Sequence, residues 1–301
     1  MTDSNDETVL IGRRAMMASG LALGAATAFR ATAAGPDAPA SPLLRESGIP
    51  ADLRQRAAII RRVQYRTDAG PVFWWFRGRN YAQQGATLTP MCELIFGSIA
   101  KVIPNADGSM DLVQYELGFR TAPDSGERAE KLRNPITGDM IDVPFSPVGP
   151  TRVHYSADNV LQLPQQMGGS RFTAEHVPAL FYRMGDQVCF QTHSHVVSFI
   201  PGAPDRVLND MSMFCSPATE ALNPKVQFAS ASAHGSDVTD YARWWKMPPG
   251  MGSQTLRSVG QKVRRFADMP RDWIAMVAKA DPKMAADPIS VLERAQATYR
   301  N

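Results

Sequence analysis

Val113-Gln114-Tyr115-Glu116-Leu117-Gly118-Phe119 alternates: every odd position is apolar, and Gln114 and Glu116 share the opposite face. A strand has a side-chain period of two and separates these residues cleanly, which a helix of period 3.6 would not do. Outward from this stretch, similar short runs rich in aromatic and β-branched residues recur at Val72 to Arg77, Cys92 to Ile103, Leu112 to Phe119, Ile141 to Phe145, Thr151 to Tyr155, Gln187 to Ile200 and Val226 to Ala233. Turn-forming clusters separate them, among them Asp68-Ala69-Gly70-Pro71, Pro104-Asn105-Ala106-Asp107-Gly108 and Asn134-Pro135-Ile136-Thr137-Gly138-Asp139. No helix long enough for a crossover lies between the runs. The pattern predicts a mainly β protein built on an antiparallel β-barrel or half-barrel, with a calycin-like barrel or a sandwich as the alternatives.

Helical signals flank this body. Leu53, Ala57, Ile60 and Val63 mark one face of a short helix over residues 51–63. After Asp237, helices are expected at Gln254 to Arg265, Pro270 to Lys279 and Ile289 to Tyr299, the last opened by Asp287-Pro288 as cap and first-turn proline. These C-terminal helices are expected to pack against the sheet in a single domain spanning residues 51–301.

The N-terminus reads as an address. Arg13-Arg14 precedes an uncharged stretch from Ala15 to Phe29, and Ala31-Thr32-Ala33 offers small residues for cleavage near Ala33 or Ala34. The stretch is shorter than the roughly 20 apolar residues of a membrane span. The paired arginines before a mildly hydrophobic core point to the twin-arginine export machinery as a partner and to the periplasm as destination. Residues 1–34 are then the signal and the Pro-rich residues 35–50 a linker. No stable membrane span is expected after cleavage.

Thirty-two basic residues stand against 29 acidic ones, a net charge of +3 with no basic run of five or six, which argues against a nucleic-acid partner. Cys92, Cys189 and Cys215 form an odd set that allows one disulfide at most. The familiar nucleophile elbow, phosphate loop, H-E-x-x-H and C-x-x-C motifs are all absent from the sequence.

Several groups carry chemistry. On a strand, Gln187, Cys189, Gln191, His193 and His195 form one row, and His-x-His on a strand suits a transition metal such as zinc, copper or iron. A third ligand would come from His154, Glu93, Glu116 or His234; the plain alternative is a solvated polar face. Met211-Ser212-Met213-Phe214-Cys215 adds soft sulfur nearby, although methionine commonly fills core gaps. In Phe73-Trp74-Trp75-Phe76-Arg77-Gly78-Arg79-Asn80-Tyr81, alternation sets Phe73, Trp75 and Arg77 on one face. Trp75, Arg77, Tyr81 and Trp245 are the candidate ligand-binding residues, and the loop after Trp244-Trp245 is placed to cap a barrel mouth. Glu116, on an otherwise apolar strand, is either a general acid or base beside His193 or His195, or the partner of Arg77, Arg79 or Arg120.

The run from Phe73 to Tyr81, the segment from Tyr115-Glu116 through Gly126-Glu127 to Asn134-Pro135-Ile136-Thr137-Gly138-Asp139, and Trp245-Lys246-Met247 to Gly252 together resemble the bacterial family catalogued as domain of unknown function 1838. Between Gly118 and Asp124 this chain departs from that pattern, a Phe-Arg-Thr-Ala stretch replacing an aromatic-aspartate turn. The resemblance covers about residues 60 to 275 and implies a single β-rich, commonly exported domain, with no activity to carry over. Two functions are compatible with the residues. One is a periplasmic enzyme of lyase, isomerase or hydrolase type acting on a hydrophobic or aromatic small molecule inside the barrel. The other is a lipocalin-like carrier or sensor using the same cavity without chemistry.

Overall fold

A computed structural model of the chain describes residues 48–122, 126–145, 147–159, 161–162, 166–167, 170–199 and 205–298. The expected signal peptide, and the linker up to residue 47, lie outside the described residues.

Helix α1 (Leu53–Gln64) is capped by Asp52, whose carboxylate accepts from the Gln55 N–H at 2.8 Å, and it buries Ala57, Ile60 and Val63 as its periodicity requires. Strands β1 (Gly70–Gln84), β2 (Thr87–Pro104) and β3 (Met110–Thr121) follow as successive antiparallel neighbours. Strands β4 (Lys131–Arg133) and β5 (Met140–Asp142) form a small separate ribbon before β6 (Val148–Tyr155) returns to β3 and β7 (Leu161–Gln162) pairs with β6. The second half comprises β8 (Gln166–Met167), β9 (Ser170–Met184), β10 (Gln187–Phe199) and β11 (Arg206–Pro217), then a short α2 (Ala218–Ala221), β12 (Ser232–Thr239) and β13 (Ser253–Val263).

Among the described residues, eleven strands form one sheet in the order β7-β6-β3-β2-β1-β13-β12-β11-β10-β9-β8, every described pair antiparallel. The last strand thus pairs with the first at the centre, and the two edges, β7 and β8, are consecutive in the chain. Laid flat at about 4.8 Å per strand, such a sheet would hold its edges about 48 Å apart. Gln162 and Gln166 are only four peptide units apart, a reach of at most roughly 14 Å. The sheet therefore curls into the expected half-barrel without closing its hydrogen-bonded ring.

Three apolar clusters follow from this curl. Inward-facing Trp74, Phe76, Phe96, Phe190, Phe214 and Leu256 pack on Ile59, Ile60 and Val63 of α1 and on Phe228 and Ala229. Phe76 stacks on Phe96 at 4.6 Å and Phe190 on Phe214 at 5.5 Å. On the outside of β1 to β3, Ile95, Ile99, Val113, Leu117 and Phe119 are covered by Met269 and by α3 (Arg271–Ala280), α4 (Pro282–Ala286) and α5 (Pro288–Thr298). Trp273 of α3 is fully buried there and donates its indole N–H to the Leu117 carbonyl at 3.0 Å. Gly97 makes room for it, since a Cβ at that position would stand 2.4 Å from the Trp273 ring. The third cluster joins inward-facing Ala82 and Cys92 to Leu132, Ile141 and Trp245 and stops one end of the half-barrel.

Two sequence expectations need correction. Gln254 to Arg265 is strand β13 and not a helix, and Val226 to Ala233 is irregular chain, with β12 starting only at Ser232. In β13 the inward face carries Gln254, Ser258, Gly260 and Lys262, so the usual apolar row is missing and Leu256, Val259 and Val263 fall at a spacing that mimics a helix. Residues 226–231 join no ladder and bond instead to the last turn of α1: Ala229 N–H donates to the Arg62 carbonyl, and Arg62 Nε donates to the Val226 carbonyl. Among the described residues no helix is long and apolar enough to cross a membrane.

Candidate functional site

Above the aromatic floor the inner face turns polar. Directly opposite residues on antiparallel strands share a face, so the register carries Asp210 of β11, Asp237 of β12, Ser258 and Gln254 of β13, and Glu116 and Arg120 of β3 inward. All six are buried. Charged and polar groups removed from water cost several kcal/mol unless something compensates them, so their concentration on one concave face is not a packing accident.

The centre of this belt is a carboxyl pair. Asp210 and Asp237 stand directly opposite each other on β11 and β12, with 1% and 5% of their surfaces exposed. Ser212 donates its hydroxyl to Asp210 Oδ1 at 2.9 Å, and the two carboxyls hydrogen-bond to each other. A hydrogen bond between two carboxyls needs a proton on one of them. Burial pushes the Asp210 carboxyl up to about 6, and the bonds from Ser212 and Asp237 offset only part of that rise. The pair therefore contains a carboxyl that exchanges its proton closer to neutrality than a free aspartate does. On the neighbouring strand, Ser258 Oγ and Gln254 Oε1 meet no hydrogen-bond partner among the described residues.

Glu116 sits deeper on the same inner face, 1% exposed, on a row with Gln114 and Arg120. Burial, the adjoining Tyr155 hydroxyl at 2.9 Å and the Glu116 charge together push Tyr65 well above the phenol range. Arg120 lies over the Trp244 ring at 4.5 Å, and Trp244 stacks on Trp245 at 4.2 Å. The cap of this end is thus the single turn Arg243–Trp245, held by Asn134 donating to the Trp245 carbonyl at 2.8 Å, upstream of the loop expected from the sequence to cap a barrel mouth. Both indole N–H groups are buried without an acceptor among the described residues.

The structure does not bring the sequence-predicted site residues together. Glu116 is inside, whereas His193 and His195 lie on the outer face of β10, because the even positions Thr192, Ser194 and Val196 are the buried ones. Trp75, Arg77 and Tyr81 also face outward on β1: Trp75 packs against the cluster under the C-terminal helices, and Arg77 donates to Asp272 of α3 at 2.5 Å. Arg79 donates to Glu93 at 2.5 Å, so neither Arg77 nor Arg79 is the partner of Glu116, and only Arg120 shares its face. These pairs line an outer groove of about 280 Å³ whose guanidinium groups already hold carboxylates. Trp245 alone of the predicted ligand-binding set is at the half-barrel's end. His154, the remaining metal candidate, bonds Asp111 at 2.8 Å on the other wing. Among the described residues no group of three or more His, Cys, Asp or Glu is placed to hold a metal ion.

Asp210 and Asp237 escape a strand-by-strand reading although a signal is present. Aspartate is depleted in strands, and Asp210-Met211-Ser212-Met213-Phe214 places Asp210, Ser212 and Phe214 on one face. Reading that face as inward requires knowing that β12 and β10 flank it with Asp237 and Ser194. Cys189 and Cys215, also directly opposite on β10 and β11, form a disulfide on the outer face, leaving buried Cys92 as the free thiol.

No curated protein and no solved structure matches this chain. The family match begins at the first residue of β1 and takes in the whole curled sheet together with α3 to α5. Over residues 70–300 the chain matches the family described as protein of unknown function (DUF1838), and it belongs to that family.

Proposed function

We propose that the protein is an exported acid–base enzyme acting on a small molecule held inside the half-barrel, with Asp210 and Asp237 as its proton-transfer pair. The observation that carries this reading is the buried, mutually hydrogen-bonded carboxyl pair with one member pushed up to about 6. A buried carboxyl that exchanges its proton near neutrality, beside a second carboxyl, is equipped for general acid–base work. An isomerase or lyase uses such a pair directly: one carboxylate takes a proton from carbon or oxygen while the other group, as the protonated carboxylic acid, delivers one. A hydrolase would add a water between them. The aromatic floor of Phe190 and Phe214 below the pair suits an apolar or aromatic body, and the unpartnered Ser258 and Gln254 oxygens suit a polar head. Export is supported by Arg13-Arg14 and the uncharged segment after it, and by a Cys189–Cys215 disulfide of the kind that persists in oxidising compartments.

The test is to incubate the mature protein with a bacterial small-molecule extract in D2O and follow the extract by mass spectrometry. A compound that gains deuterium or changes mass with wild type, and does so about 100-fold or more slowly with Asp210→Asn or Asp237→Asn, supports the reading. Compounds retained unchanged by wild type and by both variants identify a carrier instead, and equal conversion by Asp210→Asn removes the pair from the chemistry.

A further inference from the structure

The outer face of β10 to β12 carries a second constellation, independent of the carboxyl pair. Met211 and Met213 are two apart on β11 and both face outward; His193 of β10 is directly opposite Met211, and His234 of β12 is directly opposite Met213. Residues so opposed have Cβ atoms about 5 Å apart, and diagonal neighbours stand about 7 Å apart. Two thioethers are therefore flanked by one imidazole on each side, in a patch where Met211 and His234 are exposed and His193 and Met213 half-buried. The four described histidines differ in how they are occupied. The His154 ring bonds Asp111 at 2.8 Å and the His195 ring bonds Asn209 at 2.9 Å, whereas neither the His193 ring nor the His234 ring has a hydrogen-bond or ion-pair partner among the described residues. The two uncommitted rings are the two beside the methionines.

We propose that His193, Met211, Met213 and His234 form a binding site for a soft monovalent cation, copper(I) or silver(I). Thioether sulfur is a poor ligand for hard or divalent ions and a good one for these, and neutral imidazole completes a set with no formal charge. Glu175 stands opposite His195, one step along the strands, so a harder divalent ion would favour that neighbouring corner. Thiols do not compete: two cysteines are bridged to each other and the third is buried on the inner side.

The experiment titrates the oxidised mature protein with silver nitrate in chloride-free buffer, and with copper(I) against a chromogenic copper(I) chelator. Native mass spectrometry reads stoichiometry, and the methionine methyl NMR signals report which of the 12 methionines after residue 34 respond. One equivalent is expected to bind, with Met211 and Met213 shifting. Met211→Leu/Met213→Leu, His193→Gln and His234→Gln should each weaken binding at least about tenfold, about 1.4 kcal/mol. His154→Gln, His195→Gln and Asp210→Asn should leave it unchanged. Absence of a one-to-one complex at micromolar metal, tighter binding of zinc(II) than of silver(I), or an equal loss from His195→Gln overturns the assignment. The leucine variants keep volume and apolarity on the surface, so a retained melting temperature separates ligand loss from misfolding.

Discussion

The two wings of the sheet obey the same alternation and put opposite things on their faces. Strand β3 is buried at every one of its positions, because α1 and the aromatic cluster lie inside it and α3 to α5 lie outside. Strand β10 alternates, with Thr192, Ser194 and Val196 buried and Gln191, His193 and His195 half-exposed toward solvent. On the first wing the apolar row of the pattern, Val113 to Phe119, faces outward and needs a helical cover, and the polar row, Gln114 and Glu116, faces the interior. On the second wing the interior itself becomes polar at Ser194, Asp210 and Asp237, and nothing among the described residues covers the outside. An amphipathic strand records only that its two faces differ. Which face is the inside depends on what the rest of the chain lays against it.

The largest expected effect breaks the cover of the first wing. Trp273→Ala empties a fully buried site under β2 and β3 and should cost about 3–5 kcal/mol in chemical denaturation. On the second wing the corresponding stabiliser is covalent. Cys189→Ser/Cys215→Ser opens a link between residues 26 apart and should cost about 2–4 kcal/mol, with the secondary structure retained by circular dichroism.

The carboxyl pair predicts a change of the opposite sign. A free aspartate titrates near 3.9, and burial pushes Asp210 up to about 6. Between these values the folded protein keeps a proton that the unfolded chain has released, so stability is full below about pH 4 and falls as pH rises through about 6. Two units correspond to about 3 kcal/mol at most. Asp210→Asn should flatten this part of the melting-temperature profile and equal or exceed the wild type in stability above pH 7, while losing turnover. A variant that melts well below wild type at pH 8 would make Asp210 a structural brace and sharpen the contrast in a different way. The smallest effect belongs to the bare outer face, where His193→Gln and Met211→Leu should each change stability by no more than about 0.5 kcal/mol.

Legibility in the sequence follows the same divide. Strands with an apolar row, such as Val72 to Arg77 and Leu112 to Phe119, the apolar face of α1 and the cap of α5 at Asp287 are plain from local pattern alone, and Asp287 does accept from the Ser290 N–H at 3.0 Å. Strands β11, β12 and β13 are not, since their inward faces carry Asp210, Asp237, Gln254 and Ser258 where a period-two reading looks for Val or Leu. The strands hidden from local pattern and the candidate site coincide. Local pattern and global fold disagree most where a protein places buried polar groups, and such groups persist when they have work to do.

By itself the sequence determined the class of fold, the polarity switch within each alternating strand and the single possible disulfide, because period, turn chemistry and cysteine number are local properties of the chain. Tertiary structure decided which faces point inward. It set Glu116 apart from His193 and His195 on opposite sides of one sheet, and it brought Asp210 and Asp237, 27 residues apart in the chain, into one hydrogen-bonded pair. The physical reason is that register between strands and the curl of the sheet arise from pairings across the whole chain, from β1 against β13 outward, which no local pattern contains.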